Sequence, residues 1–241
     1  MTGVLGLARV RLAVAAGVLG CLAAVGLAIP ATAAAGRTTS LTSCGPIDNP
    51  GKYRLDADVF TFDAVCFTIT ANGVRLNLNG HRVTGPATRP ALVGILVEGA
   101  DATIVGPGTI AGWPISGIAL TGDNGSVRGV TATGSEGFGG VGGFGIDIGS
   151  SGNSIRGNVA TGNRAGVVAV TGATDNTIIG NVADNNQIVG ILMDNGATDN
   201  TIIGNVATGN STDDLFDFNG SCDSNVWKGN DFGSANQSCI H

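Results

Sequence analysis

The twelve residues GATDNTIIGNVA stand at Gly172–Ala183 and return, letter for letter, at Gly196–Ala207. Identical stretches spaced 24 residues apart mark a stacked repeat, because equivalent positions of successive turns meet the same surroundings. Aligned on the Gly-Asn pair, the flanking chain falls into one register: NSIRGNVATGN from Asn153, NTIIGNVADNN from Asn176, NTIIGNVATGN from Asn200 and NVWKGNDF from Asn225. The glycines are Gly157, Gly180, Gly204 and Gly229, and weaker copies place Gly80, Gly106 and Gly129 before them. A second strand-like block follows: VGILVEG, SGIALTG, FGIDIGS, AGVVAVTG, VGILMDNG and DDLFDF.

The apolar residues come in short alternating runs of Ile and Val, interrupted every few residues by Gly, Asn or Asp, which excludes helices. Leucine-rich repeats share the period but need Leu at fixed positions, and these motifs use Ile and Val. The reading is an all-β solenoid, a single-stranded parallel β-helix of about seven coils of roughly 23 residues, from near Val74 to Phe232. Residues 36–73 then form an N-terminal cap, 74–232 the β-helix and 233–241 a C-terminal cap tail. Asn158, Asn181, Asn205 and Asn230 are expected to stack as an internal ladder at turns. There Asn tolerates a left-handed backbone, and its amide bonds to the rungs above and below. Each repeat is unstable alone and needs its neighbours.

Composition agrees. Glycine fills 41 of 241 positions without a three-residue period, which excludes collagen, and an apolar fraction of 43% argues against disorder. At the N-terminus, MTGVLGLARVR, the apolar run Leu12–Ile29 and the small-residue site Ala31-Thr32-Ala33 make residues 1–35 a secretory signal peptide that is cleaved. Pro30 and that site argue against retaining the run as a membrane anchor. VLGC at Val18–Cys21 is a weaker lipoprotein signal, since the chain beyond Cys21 stays apolar. The expected product is secreted and extracellular, with no stable membrane anchor. Losing Arg9 and Arg11 takes the net charge from −6 to about −8, which opposes nucleic acid as a partner. It also disfavours anionic polysaccharides unless a local basic patch or a bound cation intervenes. Four cysteines remain, Cys44, Cys66, Cys222 and Cys239, enough for two disulfides in any of three connectivities.

The stretch ITANGVRLNLNGHRVTG (Ile69–Gly85) and the N-x-I-x-G-N coils resemble right-handed parallel β-helix repeat proteins, the broad pectate-lyase-like and NosD-like group. The resemblance spans roughly Phe67–Phe232. The tail DDLFDFNGSCDSNVWKGNDFGSANQSC (Asp213–Cys239) is similar to the C-terminal end of small secreted bacterial members. It implies a right-handed coil but no activity, because the fold hosts lyases, epimerases, hydrolases and non-catalytic members. Seven coils about 4.8 Å apart make a rod of roughly 34 Å, whereas bonded cysteines need Cα atoms within about 7 Å. The expected pairs are therefore Cys44–Cys66 and Cys222–Cys239, one staple at each end.

Strong catalytic signatures are missing. His81 in NLNGHRVTG reads as a turn residue, and His241 has no His or Cys cluster beside it in sequence. The GHR there departs from the GHG of galacturonase-like hydrolases, and Asp213-Asp214 belongs to the common C-terminal segment. GGFGIDIGS (Gly142–Ser150) resembles a calcium-binding nonapeptide, but Gly149 replaces the large apolar residue and the motif occurs once. No metal or cofactor is expected, with calcium the one ion left open.

Seven residues after the alignment glycine, successive coils present Trp113, Glu136, Arg164, Gln187 and Ser211, one edge of the rod at about 4.8 Å spacing. Beside them GSEGFGGVGGFG (Gly134–Gly145) lengthens one step to 28 residues, the kind of loop on which rigid scaffolds place sites. A Trp face, an acid and a fixed cation form a carbohydrate groove of Trp113, Glu136, Arg164 and Gln187, with Asp147 facing outward next to it. Outward Leu96, Ala119, Val168, Leu192 and Phe216 form an apolar stripe that calls for cover by the N-terminal segment or a subunit contact, hence a homo-oligomer. The expected function is binding of a polysaccharide or cell-surface glycan without catalysis. The alternative is a polysaccharide lyase or uronate epimerase, with Arg164 as base or clamp and Glu136 and Asp147 holding a cation. A purely structural or protein-contact role is the third.

Overall fold

A computed structural model describes residues 37–87 and 92–241; the expected signal peptide lies outside them. The three-residue runs of the repeat are strands whose central side chain points inward. Thr177–Ile179 and Thr201–Ile203 both bury only their middle isoleucine. A turn leads to a second short strand, and a further turn to a five-residue one such as Val189–Met193. Repetition stacks these into parallel sheets of nine, eight and five strands. The five-stranded sheet is prolonged through the bridges Val159↔Val182 and Val182↔Val206.

The chain is a right-handed parallel β-helix of about eight turns, one more than the repeats alone suggest. Thr38–Leu41 and Lys52–Leu55 already pair in parallel, and Lys52–Leu55 pairs on to Arg75–Asn77. That region lacks the Gly-Asn signature, so only its alternation marks it. Among the described residues no helix is long and apolar enough to cross a membrane.

Register stacks like on like. Leu76, Ile104, Val127, Ile155, Ile178 and Ile202 form one column, all fully buried. Burying such a side chain stabilises by about 1.5–3 kcal/mol, so the column holds adjacent coils together. The repeated glycine has a backbone cause: Gly157, Gly180 and Gly204 each sit at φ 62°, a region that costs glycine nothing. The asparagine after it does not adopt that conformation, contrary to expectation; its side chain is what the turn requires.

The ladder is also triple. Asn153–Asn176–Asn200–Asn225, Asn158–Asn181–Asn205–Asn230 and Asn163–Asn186–Asn210 rise at three corners. Each rung repeats one pattern. Asn181 Oδ1 accepts from the backbone N–H and Nδ2 of Asn158 at 2.9 and 3.0 Å, while its own Nδ2 donates to Ile155 O at 2.9 Å and to Asn205 Oδ1 at 3.0 Å.

Both ends are stapled as expected, by Cys44–Cys66 and Cys222–Cys239. At the C-terminal end Asp214 Oδ1 accepts from the backbone and side-chain amides of Asn210, and its Oδ2 from the N–H groups of Gly233 and Ser234. Burial opposes ionisation of Asp214, but these bonds prevail and hold its carboxyl below the ordinary value. Asp217, fully buried, accepts from Asn219, Asn225 and Trp227 Nε1.

Candidate functional site

Trp113 is not on the surface. It is fully buried, and its Nε1 donates to Val83 O at 3.2 Å. Asn163, Asn186 and Asn210 make the equivalent bond to Ala132, Ala160 and Ala183, one position of the coil before each. Trp113 thus occupies the inward corner that later coils fill with asparagine. The sequence alignment slips here because Thr109 pairs with Thr131 while Gly106 lies three residues before one and Gly129 two before the other. One extra residue at Pro107-Gly108 turns the seventh position inward. The indole fits because Gly85 and Gly94 lack side chains; a Cβ on either would lie 2.9 Å from the ring.

The remaining edge residues do stack. Arg164 N–H donates to Ser135 O, Gln187 N–H to Asn163 O and Ser211 N–H to Asn186 O. Glu136, Gln187 and Ser211 are exposed and Arg164 is half-buried. Glu136 and Arg164 form no ion pair. Arg164 instead holds the glycine-rich loop, its Nη1 donating to Gly142 O at 3.2 Å. Gly137 and Gly143 rest on its side chain, where a Cβ would lie 3.2 Å and 2.5 Å from it. The loop is a small hairpin: Phe138 and Val141 exchange both backbone bonds around Gly139-Gly140, and Phe138 is 56% exposed.

This loop opens onto the outer face of the eight-stranded sheet. One row runs Leu96, Ala119, Asp147, Val168, Leu192, Phe216, so Asp147 is the single acid in an apolar column. Its neighbours Ile146 and Ile148 point into the core. Asp147 Oδ2 accepts from Ser116 Oγ at 3.3 Å, while Oδ1 is buried without a partner among the described residues. Burial pushes the carboxyl up to about 6, the Ser116 bond working weakly against it.

C-terminal to Asp147 the face becomes a shallow apolar groove between Phe144 and Arg164 at one side and Phe216 and Phe218 at the other, floored by Ala165 and Val189. Phe216 and Phe218 pack with centroids 4.5 Å apart. Phe138, Phe144 and Phe218 were missed as site residues. For Phe218 the DDLFDF alternation, which places Phe216 and Phe218 on one side, was the sequence signal. His81 sits in a turn, as expected, with Nδ1 3.1 Å from Asp58 Oδ1.

Solved structures share this architecture. The Dettilon tailspike protein aligns over 80% of this chain and 42% of its own, with TM-score 0.61 and 17% identity. Pectate lyase Pel9A aligns over 85% and 63%, with TM-score 0.56 and 18% identity. The periplasmic alginate epimerase AlgG aligns over 77% and 49%, with TM-score 0.52 and 16% identity. The chain thus spans about half the length of these proteins, and at such identities the likeness is one of fold. No protein of curated function matches. Residues 69–241 match the family described as periplasmic copper-binding protein (NosD), and with its stacked coils and asparagine corners the chain belongs to that family.

Proposed function

We propose that this protein is secreted and binds an extracellular or cell-wall glycan, without catalysis, in the groove on the outer face of its eight-stranded sheet. One observation carries the reading: surface phenylalanines flank an apolar groove at whose edge Arg164 is fixed by the glycine-rich loop. Aromatic faces suit the apolar side of a sugar ring, and a positioned guanidinium suits its hydroxyls or a carboxylate. Glu136 and Gln187 stand with Arg164 along the same edge of the rod, and Trp113, being buried, has no part in the groove. Two disulfides suit an exported chain, and the solved neighbours include a pectate lyase and an alginate epimerase.

The family description names copper. Among the described residues, His81 is engaged with Asp58, His241 lies at the opposite end of the rod, Met193 is fully buried and all four cysteines are in disulfides. No group of three or more of the described His, Cys, Asp and Glu residues is placed to hold a metal ion. These side chains do not fit a copper site.

Asp147 favours a second reading, uronate lyase or epimerase chemistry, because a carboxyl held near 6 can exchange a proton at neutral pH. Glycan-panel binding with Phe218→Ala and Arg164→Ala variants tests the first reading, and loss of binding in either supports it. Incubation with uronate polymers, with and without calcium, tests the second through unsaturated product seen in ultraviolet absorbance. Product that disappears in Asp147→Asn or Arg164→Ala replaces the binding reading with the enzymatic one. Absence of both binding and turnover ends both.

A further inference from the structure

The outer face of the nine-stranded sheet carries a different pattern. Its register sets Arg128 directly opposite Arg156, and Lys52 directly opposite Arg75. Arg128, Arg156 and Lys228 are exposed and occupy one row along the rod. Like charges placed directly opposite each other on adjacent strands destabilise a sheet. The fold does not require them, since the most regular coils carry Ile179 and Ile203 in that same row.

No carboxylate among the described residues pairs with these charges. The two salt bridges among the described residues are Arg54–Asp56 and His81–Asp58, so Arg128 and Arg156 are left without an acid. No described strand of this sheet contains Asp or Glu. Acids such as Asp101, Asp175 and Asp199 sit in the turns entering the strands, whereas Arg128, Arg156 and Lys228 lie at the strands' far ends. The row beside them carries Lys52 and Arg75 toward its N-terminal end and continues as hydroxyls, with Thr103, Ser126, Ser154, Thr177 and Thr201 in register. On a chain of net charge −6, this is a cationic strip bordered by hydrogen-bonding hydroxyls.

The strip is linear. With coils about 4.8 Å apart, Arg156 and Lys228 are separated by three coils, roughly 14 Å. A compact anion meets one pair of charges, while an extended polymer lying along the axis meets several. We propose that this face binds an anionic polysaccharide laid along the rod, its carboxylates held by Arg128 and Arg156 and its continuation, toward the N-terminal end, by Lys52 and Arg75 of the neighbouring row. It is a second surface, distinct from the groove on the eight-stranded sheet. Guanidinium forks match carboxylates bidentately, and several weak contacts along one chain add through effective concentration.

The test is retention of the purified protein on polygalacturonate across a sodium chloride series, with dextran as the neutral control. Retention at low salt that weakens steadily with salt is expected, with none on dextran. Replacing Arg128→Ile and Arg156→Ile together copies the residues of the regular coils, so the variant should keep or raise its Tm. It should lose about tenfold or more in affinity and show a flatter salt dependence. Arg164→Ala and Phe218→Ala, which disable the groove, should leave this retention unchanged. Undiminished binding in the double variant overturns the proposal, as does equal retention on dextran. Loss only in Arg164→Ala assigns uronate binding to the groove instead. Equally tight binding of duplex DNA at the same salt overturns the assignment to polysaccharide.

Discussion

The two halves of the rod close the same corners by different means. From Asn153 onward, buried asparagines satisfy one another and the backbone at every level. Before it, the same positions hold Val74 and Ala102, Val130, and Trp113, which fill space. The change falls within a single coil: Gly125, Val130 and Ser135 each donate a backbone N–H to the first rung of a ladder, at 2.7, 3.0 and 3.1 Å. The glycine-rich loop leaves the rod from this same coil. A corner closed by hydrogen bonds demands one residue type and repeats in the sequence. A corner closed by shape accepts many.

Trp113→Ala attacks the shape-closed half and should cost about 3–5 kcal/mol, because the indole leaves a cavity that Gly85 and Gly94 cannot fill. Trp113→Phe should cost far less, about 1–2 kcal/mol, chiefly the bond to Val83. Chemical denaturation measures both, and glycan binding by either folded variant should be unchanged. In the hydrogen-bonded half, Asn181→Leu strands Ile155 O and the amides of Asn158, for a loss of about 3–4 kcal/mol. A cost below 1 kcal/mol would mean that the ladder is decorative.

Asp147 makes the outer face pH-dependent. The folded chain holds its proton up to about 6 while the unfolded chain releases it near 3.8. Stability should therefore fall as pH rises through that window, by as much as about 3 kcal/mol. Asp147→Asn should remove this dependence in melts between pH 4 and 8. Asp214 acts in the opposite sense: its lowered value supplies stability above the ordinary carboxylate range that is lost on acidification. Arg164→Ala should have the smallest effect on stability, about 1 kcal/mol, with faster amide exchange confined to the loop around Gly142.

The second half of the fold was open to sequence reading because amide ladders repeat letter for letter. Asn153, Asn176, Asn200 and Asn225 were already aligned with the glycines, and only their role went unread. The N-terminal coils were harder, since Lys52–Leu55 obeys the same pairing without a shared motif. At the candidate site, the outward direction of Asp147 followed from strand alternation. Trp113 was misplaced because counting from a glycine ignores one residue added at Pro107-Gly108. Glu136 and Arg164 share one edge without pairing, and the loop engages Arg164 through the backbone carbonyl of Gly142, which no side-chain pattern announces.

Aspartates close two of the three ladders at the C-terminal end. An asparagine rung passes its donors to the next coil and so always asks for another. Asp214 takes both amides of Asn210 and Asp217 takes the side-chain amide of Asn225, and neither carboxylate offers a proton onward. Replacing an amide by a carboxylate thus ends these two ladders with every donor satisfied. At these two corners the exchange of a nitrogen for an oxygen turns a relay of donors into a terminus.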